Sequence, residues 1–290
     1  MEKRKQYALS LHDRTIPLGA RTCIMGILNI TLDSFSDGGK YFDLDQAIQR
    51  SHQMVEEGAD IIDIGAESTR PGSLPVPADE EIRRLLPLVS HLRKEVTVPL
   101  SIDTCKAQVA EAVLDQGVHL INDISGLRFD AAMPRVVAKY KAAVVLMHIQ
   151  GTPRDMQKNP YYQHLIPEIS DYLRQSIDLA REAGILPERI MVDPGIGFGK
   201  TLFHNLEIIQ KLNEFRSLDK PILFGPSRKA FIGKILDLPV DDRLEGTAAA
   251  VAAGIMNGCH IVRVHDVRAM VRVAKVIDAI LDPLAIAPPS

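Results

Sequence analysis

The chain has 290 residues, 46% of them hydrophobic, and a formal net charge of −3. That size suits a single α/β unit whose core needs no disulfide staples, and the mildly acidic balance excludes a general electrostatic attraction to nucleic acid. No apolar run approaches the ~20 residues that span a bilayer, and the basic start, MEKRKQYALSLHDR, lacks the apolar core of a signal peptide.

In chain order, residues 6–19 predict a β-hairpin that acts as a plug under a barrel. After it one unit recurs: a short apolar run, a polar or Gly/Pro loop, an amphipathic stretch. The apolar runs cover 23–30, 60–65, 98–103, 119–123, 142–148, 189–193, 221–225 and 260–264. They are nearly continuous rather than alternating, as parallel strands covered on both faces are. The helical stretches lie near 45–57, 78–94, 105–116, 130–140, 163–183, 203–214, 242–256 and 266–281, and Gly58, Gly117, Gly184 and Gly258 come just past four of them as helix stops. The final residues, DPLAIAPPS, predict a loose tail. Eight such units predict one domain over 1–290, an α/β protein of the (β/α)8 TIM-barrel class with an N-terminal β-hairpin, the barrel proper running from about 21 to 282. An open doubly wound sheet is the alternative; the first strand lacks its G-x-G-x-x-G turn. Cys23, Cys105 and Cys259 are odd in number and widely spaced, which fits neither a disulfide framework nor a zinc site and points to a reducing cytoplasm.

In such barrels chemistry sits on the loops at the C-terminal ends of the strands. Here polar residues stand at nearly every strand end: Asn29, Asp63, Asp103, Asn122, His148, Asp193, Lys229, Arg263 and His265. One aspartate at a strand end is ordinarily a helix cap; a ring of them implies mutual pairing or a polar ligand. Asp103, Asn122 and Asp193 supply acceptors and one amide, a set for a planar heterocycle with ring N–H donors, guanine-like or pterin-like. Arg70, Lys229, Arg263 and His265, with Asn29 and Ser227, suit a phosphate or diphosphate. His265 has a second reading as a cap of the last helix, and His148 is open between a structural and a functional role. The loops 31–42 and 66–77 are long, polar and rich in Gly, Ser and Pro, as mobile lids are, with Phe35, Thr69 and Arg70 placed to grip a ligand. The glycine-dense DPGIGFGK (193–200) admits close approach of a ring, with Phe198 as a stacking face.

Eight of these segments together resemble the dihydropteroate synthase family: MGILNITLDSFSDGG (25–39), IIDIGAESTRPG (61–72), SIDT (101–104), INDISG (121–126), MHIQGTPRDMQ (147–157), DPGIGFGK (193–200), GPSRKAFIG (225–233) and RVHDV (263–267). The resemblance implies a homodimeric barrel of folate biosynthesis. It would join 6-hydroxymethyl-7,8-dihydropterin diphosphate to p-aminobenzoate, with Mg2+ as cofactor and sulfonamides as competitors of p-aminobenzoate. Carried over residue by residue, it implies that Asp103, Asn122, Asp193 and Lys229 hold the pterin, with Ile124 and Met147 lining its pocket. Asn29, Arg263 and His265 would hold the diphosphate and metal. Thr69, Arg70, Pro71, Phe198, Ser227 and Lys229 would surround p-aminobenzoate, with Phe35 closing over it and Asp33 and Ser34 in the same lid. Asp103, Asp193 and Lys229 are the implied catalytic residues, in an SN1-like displacement. Two positions depart from the family pattern: Leu32 replaces a usual proline, which frees one backbone φ at ~0.4–1 kcal/mol, and Ala66 replaces the second glycine of a pair. Other readings are a pterin barrel serving methyl transfer to a corrinoid, a degenerate barrel that only binds, and a phosphate-sugar isomerase resting on fold analogy.

Overall fold

The computed structural model describes residues 4–30 and 44–286. Two short strands, β1 (Tyr7–Ser10) and β2 (Thr15–Leu18), pair antiparallel in the register Tyr7↔Leu18 to Ser10↔Thr15. Eight parallel strands come next: β3 (Cys23–Asn29), β4 (Ile61–Gly65), β5 (Leu100–Asp103), β6 (Leu120–Asp123), β7 (Ala143–Met147), β8 (Ile190–Asp193), β9 (Leu223–Phe224) and β10 (Ile261–Val264). Their order is β8-β7-β6-β5-β4-β3-β10-β9, and one bridge, Val192↔Ile222, joins β8 to β9 and closes the barrel. The predicted 221–225 strand is paired over only two residues. Pro221, with no N–H to give the ladder, contributes its carbonyl to the Val192 N–H.

The shell is built from α1 (Leu44–Glu57), α2 (Ala78–Glu95), α3 (Ala107–Asp115), α4 (Met133–Lys139), α5 (Leu165–Glu182), α6 (Leu202–Gln210), α7 (Ala230–Leu236), α8 (Leu244–Met256) and α9 (Val267–Leu281). The four predicted helix-stop glycines all have positive φ. Two helical predictions need correction. The stretch 203–214 ends as an α-helix at Gln210 and continues as a 3-10 turn over Leu212–Leu218. And a helix that periodicity did not indicate, α7, precedes α8. Its seven residues are too few to show a period, and its support is tertiary. The Arg243 guanidinium donates to the carbonyls of Arg228 at 3.0 Å and Leu238 at 3.0 Å, bracketing both ends of α7. None of the described helices is long and apolar enough to cross a membrane.

Three apolar clusters stack along the barrel axis and around it. The largest fills the space between strands and helices. A second, inside the barrel, joins Leu9, Leu11 and Leu18 of the hairpin region to Met25, Ile61, Leu120, Val145, Met191, Leu223 and Ile261, so the hairpin is the predicted plug. A third lies beneath the opposite, C-terminal rim: Ile124, Met147, Ile149, Met156 and Phe198. Leu9 is 1% exposed. Leu9→Ala is expected to cost roughly 2–5 kcal/mol in urea unfolding while leaving the ligand affinity of the far rim unchanged; a loss below about 1 kcal/mol would show that the plug packs loosely.

Candidate active site

Strand register assembles the rim. The pairs Asn29↔Gly65, Gly65↔Asp103 and Asp103↔Asn122 put the ends of β3 to β6 in one row. Neighbouring strands lie about 4.8 Å apart, so residues distant in the chain become lateral neighbours. Asp193 ends β8, opposite Met147. Asp63, Asp103, Asn122 and Asp193 are all buried.

Arg263 starts lower, level with Met25, and its long side chain climbs into this row. Its Nε donates to Asp63 Oδ2 at 2.6 Å and its Nη2 to Asp103 Oδ2 at 2.7 Å. Asn122 Nδ2 donates to the same Asp63 oxygen at 3.0 Å. This places Arg263, which the sequence grouped with the diphosphate cations, against the acidic arc. The other oxygens, Asp63 Oδ1 and Asp103 Oδ1, are buried and have no partner among the described residues. Buried acceptors of that kind cost free energy until a donor arrives.

The electrostatics derive from burial. Desolvation pushes the Asp103 carboxyl up to about 7; Arg263 opposes this and Asp63 adds to it. Desolvation likewise raises Asp193 to about 6, against the Gly195 N–H that reaches its Oδ1 at 2.7 Å and the nearby Lys229. Lys229 falls to about 8 through burial and the Arg263 charge, with Asp193 and Asp103 holding it up. Its ammonium sits 4.1 Å from the Phe198 ring centroid, a cation–π contact. Thus Lys229, Asp103, Asp193 and Arg263 form one electrostatic unit, with Ile124, Met147 and Phe198 of the third apolar cluster beside it.

The remaining predicted residues form two further groups. Ser227 Oγ lies 2.9 Å from His265 Nδ1 and accepts from the His265 N–H at 3.1 Å. With the hydroxyl as donor to Nδ1, the ring proton resides on Nε2. Burial and the Arg263 charge hold the imidazole down to about 3, so it is neutral at pH 7. The cap reading of His265 does not hold: Asp266 occupies the cap position of α9, and no side chain caps it. The neighbouring residues clamp the same two loops together, Arg228 donating to both oxygens of Asp266 at 3.1 and 2.7 Å. On the other side, the loop 66–77 carries half-buried Thr69 and exposed Arg70 and Pro71. Phe35, with Leu32, Asp33 and Ser34, lies outside the described residues.

His148 is structural. It is buried, and its Nδ1 lies 2.9 Å from Lys200 Nζ, which also donates to the Phe198 carbonyl at 2.9 Å. Burial pushes both groups well down. The pair seats the glycine-dense loop against β7, and the seat needs a glycine: Gly195 has φ +73°, and a Cβ there would lie 1.9 Å from the His148 carbonyl oxygen. Asp123, next to Asn122, turns away from the site and takes the Ser125 N–H, Ser125 hydroxyl and Leu127 N–H at 2.7–3.0 Å.

Residues 25–265 match the family described as pterin binding enzyme. The chain is 49% identical over 263 residues to the dihydropteroate synthase of Synechocystis sp., covering 90% of this chain and 91% of that protein. It is 47% identical to the one from Bacillus subtilis over 90% of each. The chain belongs to the dihydropteroate synthases of the pterin-binding enzyme family. Solved members superpose on it closely. A Yersinia pestis dihydropteroate synthase in a sulfonamide drug complex has a TM-score of 0.89 at 41% identity, covering 94% of this chain and 98% of that one. A Xanthomonas albilineans dihydropteroate synthase with 4-aminobenzoic acid has a TM-score of 0.88 at 36% identity, covering 98% and 100%.

Sequence reasoning missed two groups of this synthase-like rim. Asp63 was seen only as one polar strand end; its role as the shared acceptor of Arg263 and Asn122 needs their spatial convergence. The other is Glu67, which straps the second loop. Its Oε1 accepts from the Val76 N–H at 3.0 Å and its Oε2 from Lys106 Nζ, itself held by the buried Glu81 at 2.7 Å. One side chain therefore joins both ends of the loop that bears Thr69 and Arg70. Glu67→Gln is expected to raise KM for the arylamine by about three- to tenfold, as one hydrogen bond worth about 0.7–1.4 kcal/mol is lost, with pterin affinity unchanged. Equal losses for both substrates in steady-state kinetics would show that the strap supports the whole rim instead.

Proposed function

We propose that this protein condenses 6-hydroxymethyl-7,8-dihydropterin diphosphate with p-aminobenzoate to give 7,8-dihydropteroate and diphosphate in folate biosynthesis. The observation that carries the residue-level reading is the pair of unpartnered buried carboxylate oxygens, Asp63 Oδ1 and Asp103 Oδ1, beside Asn122 and Asp193. A pterin edge supplies the missing N–H donors, and its ring lies on the apolar shelf of Ile124 and Met147. Phe198, Lys229 and Ser227 border the place for p-aminobenzoate, with Thr69, Arg70 and Pro71 from the second loop. A sulfonamide competes there, as the Yersinia pestis drug complex suggests by analogy.

In the reaction the C–O bond to diphosphate breaks first. Positive charge spreads into the dihydropterin, where the Asp103 and Asp193 carboxylates stabilise it in a dry site. The neutral arylamine then attacks and loses its proton to solvent or diphosphate. Arg70, the free edge of Arg263 and the His265 Nε2–H face the departing anion. Asn29 fits a magnesium ion: its amide oxygen is a hard donor, and its lateral neighbour Gly65 sets no side chain beside it. Asn29, with substrate phosphates, would hold Mg2+, which would neutralise charge on the leaving diphosphate. The corrinoid methyl-transfer reading has no use for the Ser227–His265 and Arg228–Asp266 clamp.

The assembly is read as a homodimer through the face where Ile235, Leu236, Leu244, Val276 and Ile280 are exposed on α7, α8 and α9. Three free cysteines, two of them buried, agree with the reducing cytoplasm. The single domain over 1–290 rests on one uninterrupted run of eight strand–helix units.

Dihydropteroate and diphosphate should form when the purified protein meets both substrates and Mg2+; absence of product at saturating substrate overturns the proposal. Asp103→Asn and Lys229→Ala should each lower kcat/KM by about 100-fold or more with the thermal midpoint little changed, and near-normal turnover in both would displace the pterin pocket. Affinity for a pterin ligand should also vary with pH. Asp103 and Asp193 hold protons below about 7 and about 6 in the free site, and binding needs them as acceptors. Affinity therefore falls as pH drops from 7 to 5, approaching about tenfold per unit for each group. Calorimetry on the wild type and Asp103→Asn checks this; a flat profile between pH 5 and 8 in the wild type contradicts it.

A further inference from the structure

Among the described residues, two groups of three His and carboxylate side chains bring their ligand atoms within 4.8 Å of one another. One, His12, Asp13 and His119, sits at the hairpin turn and is already committed. Arg93 Nη1 lies 2.9 Å from His119 Nε2, and Arg14 donates to both oxygens of Asp13 at 3.2 and 3.0 Å. A guanidinium at the ligand atom repels a cation.

The other group differs. His52 on α1 and His91 on α2 both aim Nε2 at one oxygen of Glu95, at 2.8 and 3.0 Å. The His52 hydrogen bond, with His91 beside it, lowers the Glu95 carboxyl, and among the described residues no lysine or arginine is paired with it. His91 and Glu95 are four residues apart on one helix, the spacing that stacks two side chains on one face. His52 comes from the preceding helix, and α1 packs on α2. All three side chains are half-exposed, open to an ion from solvent.

We infer that His52, His91 and Glu95 form a surface binding site for a zinc-like divalent transition metal that cross-links α1 to α2. The donor set is two imidazole nitrogens and one carboxylate oxygen, with a position left for water, a combination zinc accepts. Bonds of about 2.0–2.1 Å in tetrahedral geometry set ligand atoms about 3.3 Å apart, so each contact need open by only a few tenths of an ångström. Coordination through Nε2 puts the ring proton of each histidine on Nδ1. The site lies in the last turn of α2, where the helix dipole favours a cation. Helices run antiparallel to strands in this barrel, which puts the site at the end remote from the catalytic rim. The metal would thus brace the shell between the β3–α1 and β4–α2 units.

The test is a zinc titration of the untagged full-length protein by calorimetry and thermal unfolding, repeated with cobalt(II) for its visible bands. One ion per chain should bind with micromolar affinity, raise the unfolding midpoint, and give the strong bands of a four-coordinate cobalt site. His52→Ala and His91→Ala should each weaken binding by about tenfold or more, His12→Ala should not, and turnover without zinc should be the same in all three. Circular dichroism checks that the variants fold. Binding that fails below about 1 mM zinc, that survives both substitutions, or that depends on only one of the two histidines overturns the bridging site.

Discussion

The rim is organised by the Arg263 guanidinium, which grips Asp63 and Asp103 on either side of Gly65 at the mouth of the barrel. A buried ion pair of this kind contributes little net stability, because desolvating the charges offsets their attraction. Its effect is geometric. One guanidinium turns an oxygen of each carboxylate inward to itself and leaves the other oxygen of each unpartnered. The same charge lowers Lys229 and restrains the rise of Asp103, so it sets the protonation of its neighbours as well as their direction. The unfilled hydrogen-bonding capacity is what a flat ring with N–H donors can satisfy, and water in bulk cannot do so as selectively.

Such an arrangement survives because the rest of the barrel is conservative. The hairpin leucines seal one end of the barrel, and the interior below the rim is apolar from Met25 to Met191. Directly under the polar arc lies the shelf of Ile124, Met147 and Phe198. The loops that must hold position are stapled to the frame rather than to the ligand: Lys200 and His148 hold the glycine-dense loop, Arg228 and Asp266 the two loops after β9 and β10, and Arg243 the short α7 that follows Lys229. These staples pair polar groups within the protein, whereas Asp63 Oδ1 and Asp103 Oδ1 at the rim are left for a ligand.

How far the sequence alone reached has a physical pattern. Continuous apolar runs placed all eight barrel strands within about two residues, because burial on both faces demands them. Residues that cluster by register, such as Asn29, Asp103 and Asn122, were legible as strand ends. What the sequence did not disclose was partnership across the barrel. Arg263 is 160 residues from Asp103 and 200 from Asp63, and no local spacing encodes which acid a long side chain will reach. α7 was hidden for the same reason, since its support comes from Arg243 rather than from its own seven residues. The Glu67 strap was hidden because its two partners, Val76 and Lys106, belong to two different connections, the loops that lead into α2 and α3.

The distribution of satisfied and unsatisfied groups also divides labour between the two halves of the rim. On the side of β8, β9 and β10, charge pairs and backbone contacts fix the loops in place before any ligand arrives. On the side of β4, the loop 66–77 is held at its neck by Glu67 and touches the rest of the rim through the Gly72 N–H to the Pro153 carbonyl at 3.1 Å, with Arg70 and Leu74 left exposed. A reaction that develops a hydrolysable cation needs both properties. The buried strand ends proposed to hold the pterin, Asp103, Asn122 and Asp193, must stabilise its charge without reorganising, since reorganisation would raise the barrier. The looser half must open for the arylamine and then exclude water. The chain meets these opposed demands by assigning them to different strands of one barrel, with the Asp63–Arg263–Asp103 bridge as the boundary between them.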